Sequence, residues 1–205
     1  MTESPSEEVA ATAAAGLAER YGGMVGALAT SGDFGTPRIR VSPDRWVESH
    51  RILAEHLPFF SFLSAIDWAS EVAVGDPPEG AVEDRYEVFT RVSDVSKGEG
   101  VIVSTDLAKD DPRLPTLIDV FGGANWHERE AHEMFGIVFE GHPHLENLYL
   151  PDGFEGHPLR KTFPLLSREV KPWPGTVDVE GMPGADNVEA GDAGAGDAGS
   201  GEEGA

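Results

Sequence analysis

The amino-acid sequence predicts an α+β fold: a single domain with an antiparallel or mixed sheet and packed helices. Two observations predict it. A segment after residue 41 has the residues of a helix start, and two later segments alternate along the chain with a period of two. Hydrophobic residues make up 40% of the 205 residues, enough for a packed core. An extended proline-rich strap and a disordered acidic tail are expected to follow the domain.

The first elements lie near the N-terminus. Residues 1–20 are acidic and alanine-rich, so we expect a mobile lead-in, at most loosely helical, before a domain of residues 21–140. Residues 36–41 predict a strand. The next helix begins at Ser42-Pro43-Asp44, because serine is a common N-cap and proline a common first helical residue, and it ends before Pro58. Its expected core residues are Trp46, Val47, Ile52 and Leu53.

Three strands are predicted between residues 60 and 103. In the first, alternate residues share one face: Phe60, Phe62, Ser64, Ile66 and Trp68. In the second, residues 85–93, the residues on one side are Tyr86, Val88, Thr90 and Val92. An acidic turn from Asp76 to Glu83 joins these two strands as a long hairpin. The third strand is Val101-Ile102-Val103.

Two helices are predicted after the strands, with Gly122-Gly123 between them. The first runs from Leu114 to Phe121. In the second, Asn125 is the expected N-cap, Glu128 reaches back to it as in a capping box, and Gly136 is a typical residue just beyond a helix end. One stripe of the second helix is apolar: Ala131, Met134 and Phe135.

The C-terminal part has a different composition. Residues 141–174 contain six prolines and no helical period, which is typical of a segment with a binding role. Their basic island fits a solvated patch or, better, a strap that lies on a partner: Arg160, Lys161, Arg168 and Lys171. Residues 175–205 contain eight acids and no Lys or Arg, so we expect a disordered tail that serves solubility.

Composition excludes several classes of function. The chain has no cysteine, which excludes disulfides, thiolate nucleophiles and all-cysteine iron–sulfur or zinc sites. The net charge of −22 argues against nucleic acid and anionic lipid as partners. The sequence shows no apolar run long enough for a bilayer, no secretory signal and no glycine-rich phosphate loop. We therefore expect a cytoplasmic protein that reaches a membrane only through partners.

A cluster of histidines and glutamates is the main candidate for chemistry. Five of the seven histidines fall between residues 127 and 157, which raises the hypothesis of a metal site. His127 and His132 do not share a helix face, however, so structural histidines are the favoured interpretation. Glu128-Arg129-Glu130 could hold an acid/base pair, but adjacent helical residues point about 100° apart. Ion pairing, within the domain or across a subunit contact, is favoured instead.

Two sequence blocks resemble a known family. The first is Glu128-Arg129-Glu130-Ala131-His132-Glu133-Met134-Phe135-Gly136-Ile137, followed by Gly141-His142-Pro143. The second contains Leu150-Pro151-Asp152 and Gly156-His157-Pro158-Leu159-Arg160-Lys161. In this order they resemble the thirty-kilodalton subunit of the peripheral arm of respiratory complex I. The family usually has a basic residue or proline where this chain has Glu146, and a carboxylate where it has Thr162.

The resemblance implies a subunit of the proton-pumping NADH:quinone oxidoreductase that carries no cofactor itself. FMN and the iron–sulfur clusters would lie in partner subunits. The partners would be chiefly the large quinone-site subunit and neighbouring cluster-bearing subunits, on the cytoplasmic side of the cell membrane. No catalytic, cofactor-binding or metal residue is expected in this chain. The expected motif and interface residues are Glu128, Arg129, Glu130, Glu133, His142, Pro143, His157, Pro158, Leu159, Arg160 and Lys161.

Two alternatives stay open at this point. One is the equivalent subunit of a related complex, such as a ferredoxin- or coenzyme F420-linked dehydrogenase or a membrane-bound hydrogenase. The other is a stand-alone metal-dependent hydrolase that would use the cluster of histidines and glutamates.

Overall fold

A computed structural model describes residues 5–69 and 83–164 of the chain. The described residues contain helices and a mixed sheet, so the predicted α+β class is confirmed. The helices are α1 (Pro5–Val25), α2 (Trp46–Ala54) and α3 (Ala124–Phe135). A five-stranded sheet contains β1 (Ala29–Ser31), β2 (Arg38–Arg40), β3 (Phe59–Trp68), β4 (Arg85–Asp94) and β5 (Glu99–Leu107). A smaller sheet pairs β6 (Arg113–Pro115) with β7 (Val138–Glu140).

The five-stranded sheet has the order β1-β2-β5-β4-β3. Strands β2 and β5 run parallel, with Ile39 opposite Val103, and the other neighbours are antiparallel. The sheet is therefore mixed. Strands β3 and β4 pair along their whole length, as the hairpin prediction requires. The predicted turn between them lies outside the described residues except for Glu83.

One face of this sheet is buried in the core, and the other is the outer face. The predicted side of β4 is buried: Tyr86, Val88, Thr90 and Val92. On β3 the residues that reach the same core are Leu63, Ala65 and Asp67, so most of the predicted β3 set lies on the outer face. A bulge between Phe60 and Phe62 is the reason for the one exception. It turns Phe60 inward, where its ring lies 5.3 Å from that of Phe121.

Helix α1 extends the domain towards the N-terminus. It crosses the expected boundary at residue 20, and Ala14, Ala18 and Tyr21 are buried against the sheet layer. The Tyr21 hydroxyl donates to Glu99 at 2.6 Å. Helix α1 therefore begins within the expected lead-in, and from Ala14 onward it packs on the sheet instead of forming a mobile segment. The prediction missed it because an alanine-rich helix has little apolar contrast between its faces.

The segment before α3 corrects a second prediction. Residues 114–121 do not form a helix: Leu114 pairs with Phe139 in the parallel β6–β7 ladder, and a short turn follows. Helix α3 begins at Ala124 without a side-chain cap, so Asn125 is not its N-cap and Glu128 forms no capping box. Gly136 ends the helix in the left-handed conformation, as predicted (φ 77°).

Two of the C-terminal predictions fall beyond the described part of the chain. Residues 165–174 of the expected strap and the acidic tail, 175–205, lie outside the described residues. Within the part that is described, none of the helices is long and apolar enough to cross a membrane.

Candidate functional site

Glu133 binds the chain that follows the domain. Its side chain lies in α3 and the residue is 3% exposed. The carboxylate accepts the backbone N–H groups of Leu148, Tyr149 and Leu150, with shortest distances of 3.0, 2.9 and 2.6 Å. Burial acts to raise the pKa of Glu133, but the three backbone hydrogen bonds outweigh it and the pKa lies below its ordinary value. Glu133 is therefore an anionic anchor for three successive residues.

Arg129, one helical turn before Glu133, binds backbone carbonyl groups just before those three residues. Its guanidinium donates to the carbonyls of Glu146 and Asn147, both at 3.0 Å. It also lies over the Trp126 ring, 5.3 Å from the ring centroid. Glu130 accepts the Tyr149 hydroxyl at 2.9 Å. Arg129, Glu130 and Glu133 thus fix residues 146–150 on α3 through both donors and acceptors.

The second block closes the C-terminal end of α3. The last carbonyl groups of a helix have no partner within the helix. Here the carbonyls of Glu133, Met134 and Phe135 accept from His157 Nδ1, the Leu159 N–H and Arg160 Nε at 2.8, 3.1 and 2.7 Å. We call residues 146–161, bound in this way to α3, the clamped segment. The two motif blocks therefore bind each other within one chain.

The end of the clamped segment is attached to the sheet. The Lys161 N–H donates to the buried carboxylate of Asp67 at 2.9 Å. Lys109 forms an ion pair with the same carboxylate at 2.6 Å. Lys109 and Arg160 also lie over the ring of Tyr86, 5.4 and 5.7 Å from its centroid. Asp67 therefore connects the clamped segment to the edge strand β3.

Glu128 points the other way, into the core before α3. It is fully buried, and its carboxylate accepts the Thr116 hydroxyl at 2.5 Å and the Leu117 N–H at 2.7 Å. Burial raises the pKa of Glu128 to about 7, and these two hydrogen bonds lower it by less. Glu128 thus holds the turn that replaces the predicted helix at 114–121.

Three of the five clustered histidines, His132, His142 and His157, bind backbone groups through their side chains. His132 Nδ1 lies 2.8 Å from the Ile137 carbonyl, and His142 Nε2 lies 3.3 Å from the Asn125 carbonyl. His142 Nδ1 accepts the His144 N–H at 3.0 Å. Residues 5–69 and 83–164 contain no group of three His, Asp or Glu side chains placed to hold a metal ion. The geometry in this part of the chain favours structural histidines.

The structure brings nearly all of the predicted motif residues together on α3 and the segment clamped to it. Their described contacts are within the chain, and the interface role expected for them stays a prediction. Sequence reasoning missed Asp67, Lys109 and Tyr149. For Asp67 a signal existed, because an acid at an inward position of an alternating strand is buried and needs a partner.

Gly136 sits where the two blocks meet. A Cβ atom there would lie 2.6 Å from His157 Nε2 and would also strike the Arg160 guanidinium. Its φ of 77° is unfavourable for any residue with a side chain. The glycine is required both by the turn and by the close approach of the second block.

Gly136→Ala should therefore destabilise the folded chain by about 2 kcal/mol or more, of which about 1–2 kcal/mol is the left-handed backbone. Gly153→Ala is the matched control, because Gly153 has φ 82° but nothing within 4 Å of its Cβ position. Urea denaturation of both variants isolates the contact with His157 and Arg160. Equal losses of stability would show that this contact contributes nothing.

Comparison with known proteins identifies the family. The model of "Respiratory-chain NADH dehydrogenase, 30 Kd subunit" matches residues 39–169. The chain belongs to this family. The match covers both motif blocks and the five-stranded sheet from β2 onward, and it confirms the resemblance inferred from the blocks.

Individual relatives of the family agree. The C-type NADH-quinone oxidoreductase subunit of Roseiflexus castenholzii is 33% identical over 159 residues, covering 75% of this chain and 85% of the relative. The C/D polypeptide of the same enzyme in Serratia proteamaculans is 33% identical over 139 residues, covering 68% of this chain and 23% of the relative. The C/D polypeptide of Pectobacterium carotovorum is 41% identical over 95 residues, covering 46% of this chain and 16% of the relative. The chain thus spans at most about a quarter of these C/D relatives.

A solved structure shows the same fold in another complex. It is described as the membrane-bound sulfane sulfur reductase, an archaeal respiratory membrane complex. The TM-score is 0.53 at 28% identity, and the match covers 64% of this chain and 73% of the other. The fold of this chain therefore also occurs in a second kind of respiratory membrane complex.

Proposed function

We propose that this chain is the non-redox structural subunit of the peripheral arm of proton-pumping NADH:quinone oxidoreductase. It scaffolds the quinone-site subunit for electron transfer from NADH to quinone. One observation carries the proposal: Arg129 and Glu133 of the first block and Arg160 of the second bind the chain's own backbone. Groups that hold a shape in this way are not free to act as acids, bases or ligands. FMN and the iron–sulfur clusters are assigned to partner subunits.

The C/D relatives support the choice of the main partner. Their name joins two subunit letters in one polypeptide, and the region similar to this chain is only a part of that polypeptide. Joining two modules in one chain raises their effective concentration without new contacts, which suits two modules that bind each other. We assign the large quinone-site subunit as the chief partner and cluster-bearing subunits as neighbours. The chain would be peripheral, at the cytoplasmic side of the cell membrane, attached through the complex.

Exposed apolar side chains offer a surface for this partner. Trp126 is 60% exposed, Tyr149 62% and Leu159 52%. All three belong to α3 or to the segment clamped to it, so the hydrogen bonds described above fix their backbone. Aromatic residues presented on a rigid support are typical of binding hot spots. The clamp would then preorganise the docking surface.

The test is a double substitution, Trp126→Ser with Leu159→Ser, in a host that assembles the whole complex. Loss of two apolar anchors should weaken docking by about tenfold or more, and the amount of this chain in purified membranes should fall accordingly. NADH-driven quinone reduction per assembled complex should stay unchanged. Val95→Ser is the control, because Val95 is 74% exposed in the β4–β5 turn, away from the clamp.

The opposite pattern would contradict the proposal. Normal assembly with abolished turnover would indicate a direct role of these residues in the reaction. An equal loss of assembly in the Val95 variant would show that Trp126 and Leu159 do not form a specific docking surface.

The likeness to the sulfane sulfur reductase favours a second candidate. In this candidate the chain is the equivalent subunit of a related complex, a ferredoxin- or coenzyme F420-linked dehydrogenase or a membrane-bound hydrogenase. A complex purified through this chain decides between them. Oxidation of NADH by the complex supports the first proposal, and oxidation of another donor without NADH activity supports the second.

A further inference from the structure

A cavity of about 380 Å³ opens on the sheet of this domain, away from the clamp. It includes Glu87 and Ser104, which lie on the sheet face opposite to the buried side chains of Tyr86 and Val88. Polar and aromatic residues that line the cavity include Arg38, Arg40, Arg85, Trp68, Thr30 and Ser104. Three guanidinium groups thus line one cavity in a chain whose net charge is −22.

Two carboxylates hold these arginines in place. Glu87 is 2% exposed, and it accepts the Trp68 Nε1–H at 2.8 Å. Asp106 pairs with Arg40 at 3.1 Å and with Arg85 at 2.9 Å. Arg40 and Arg85 also lie 3.5 and 4.0 Å from Glu87. Their side chains are therefore preorganised by buried or half-buried partners.

Arg38 is the guanidinium with most capacity left. Within the described residues, its contact with a carboxylate is a long one of 3.4 Å to Glu87, which already binds Trp68 and Arg40. The Arg38 side chain is 41% exposed. A guanidinium has five N–H donors in a planar fork that suits carboxylate and phosphate oxygens. Several donors of Arg38 are therefore available at the cavity.

We propose that this cavity binds a compact oxyanion, a carboxylate or a phosphate, through Arg38 with the support of Arg40 and Arg85. The Ser104 hydroxyl already binds Glu87, so the guanidinium groups are the donors that remain for an anion at the wall. Asp33 also lines the cavity, and its negative charge opposes the anion. Substitution of Arg38 should therefore weaken oxyanion binding, and substitution of Asp33 should strengthen it.

The full chain is titrated with succinate and with inorganic phosphate at low ionic strength, and binding is measured by calorimetry. Arg38→Gln should weaken the binding about tenfold or more, because it removes a charge-assisted contact. Asp33→Asn should strengthen it, and added salt should weaken it in the wild-type chain. Arg91→Gln is the matched control, since Arg91 is exposed on β4 and does not line the cavity. Each variant is first shown by its thermal melt to be folded.

Repeating the titration on the assembled complex distinguishes two sources of the oxyanion. Binding in both states indicates a small-molecule site. Binding to the isolated chain alone indicates that a side chain of a neighbouring subunit occupies the cavity in the complex. The proposal is overturned if neither probe binds the isolated chain, or if Arg38→Gln and Arg91→Gln bind equally well.

Discussion

Glu133→Ala should release residues 148–150 from α3 while the sheet stays folded. The substitution removes one acceptor from three backbone N–H groups at once. A hydrogen bond to a charged group contributes about 1.5–3 kcal/mol, and the three share one carboxylate, so the clamped state should lose on the order of 4 kcal/mol. Because the contacts of Arg129 and Tyr149 depend on the same stretch, they should loosen with it.

Hydrogen exchange of the full chain measures this effect. Peptides from the clamped segment should exchange much faster in the Glu133→Ala variant, whereas peptides from β4 and β5 should exchange at the wild-type rate. Glu130→Ala is the control on the same helix, because it removes a single exposed hydrogen bond to the Tyr149 hydroxyl. Because this bond is exposed to solvent, its loss should cost less than about 1 kcal/mol. Unchanged exchange in the Glu133 variant would show that the clamp does not depend on this carboxylate.

The parts of the fold that could be predicted are those with a local pattern. Alternation predicted β4 and its buried side, and a glycine after an apolar stripe predicted the end of α3. The helix predicted at 114–121 failed although Leu114, Leu117 and Phe121 have helical spacing. Pairing with β7 and the hydrogen bond from Leu117 to Glu128 override that spacing, and neither is visible in a local window.

The sequence predicted most of the residues that form the candidate site, but it did not predict which groups those residues contact. Its residues stood out as an unusual cluster of charges, and ion pairs were the expected outcome. The structure instead pairs Glu128, Arg129 and Glu133 largely with backbone groups of distant residues. Every residue except proline carries the same backbone donor and acceptor, so such partners leave no trace in the sequence.

Glu128→Gln should change how the stability of the chain depends on pH. Burial raises the folded-state pKa of Glu128 from 4.5 to about 7. Between these values the folded chain holds a proton that the unfolded chain has lost, so stability falls as pH rises through this window. The shift corresponds to about 3 kcal/mol, all of which is lost above pH 7. Glutamine keeps the shape and stays neutral, so the variant should lack this fall.

The raw pH profile of the wild-type chain would hide the effect. His50 is fully buried between the Trp46 carbonyl and the Thr90 hydroxyl, and burial lowers its pKa from 6.5 to about 4. The unfolded chain then binds the extra proton, so this histidine makes stability rise with pH over nearly the same window. The two contributions are similar in size and opposite in sign.

The difference between variant and wild type isolates Glu128, because His50 contributes equally to both. Urea denaturation at a series of pH values should show similar stability near pH 4 and a growing advantage of Glu128→Gln, about 3 kcal/mol, above pH 7. Glu130→Gln, a change of the same kind at another glutamate of α3, should track the wild type. Should the Glu128 variant instead run parallel to the wild type at every pH, the pKa of Glu128 would have to be the same in the folded and unfolded chains. Its two hydrogen bonds would then fully offset the cost of burying the carboxylate, which is not the balance expected for a fully buried acid.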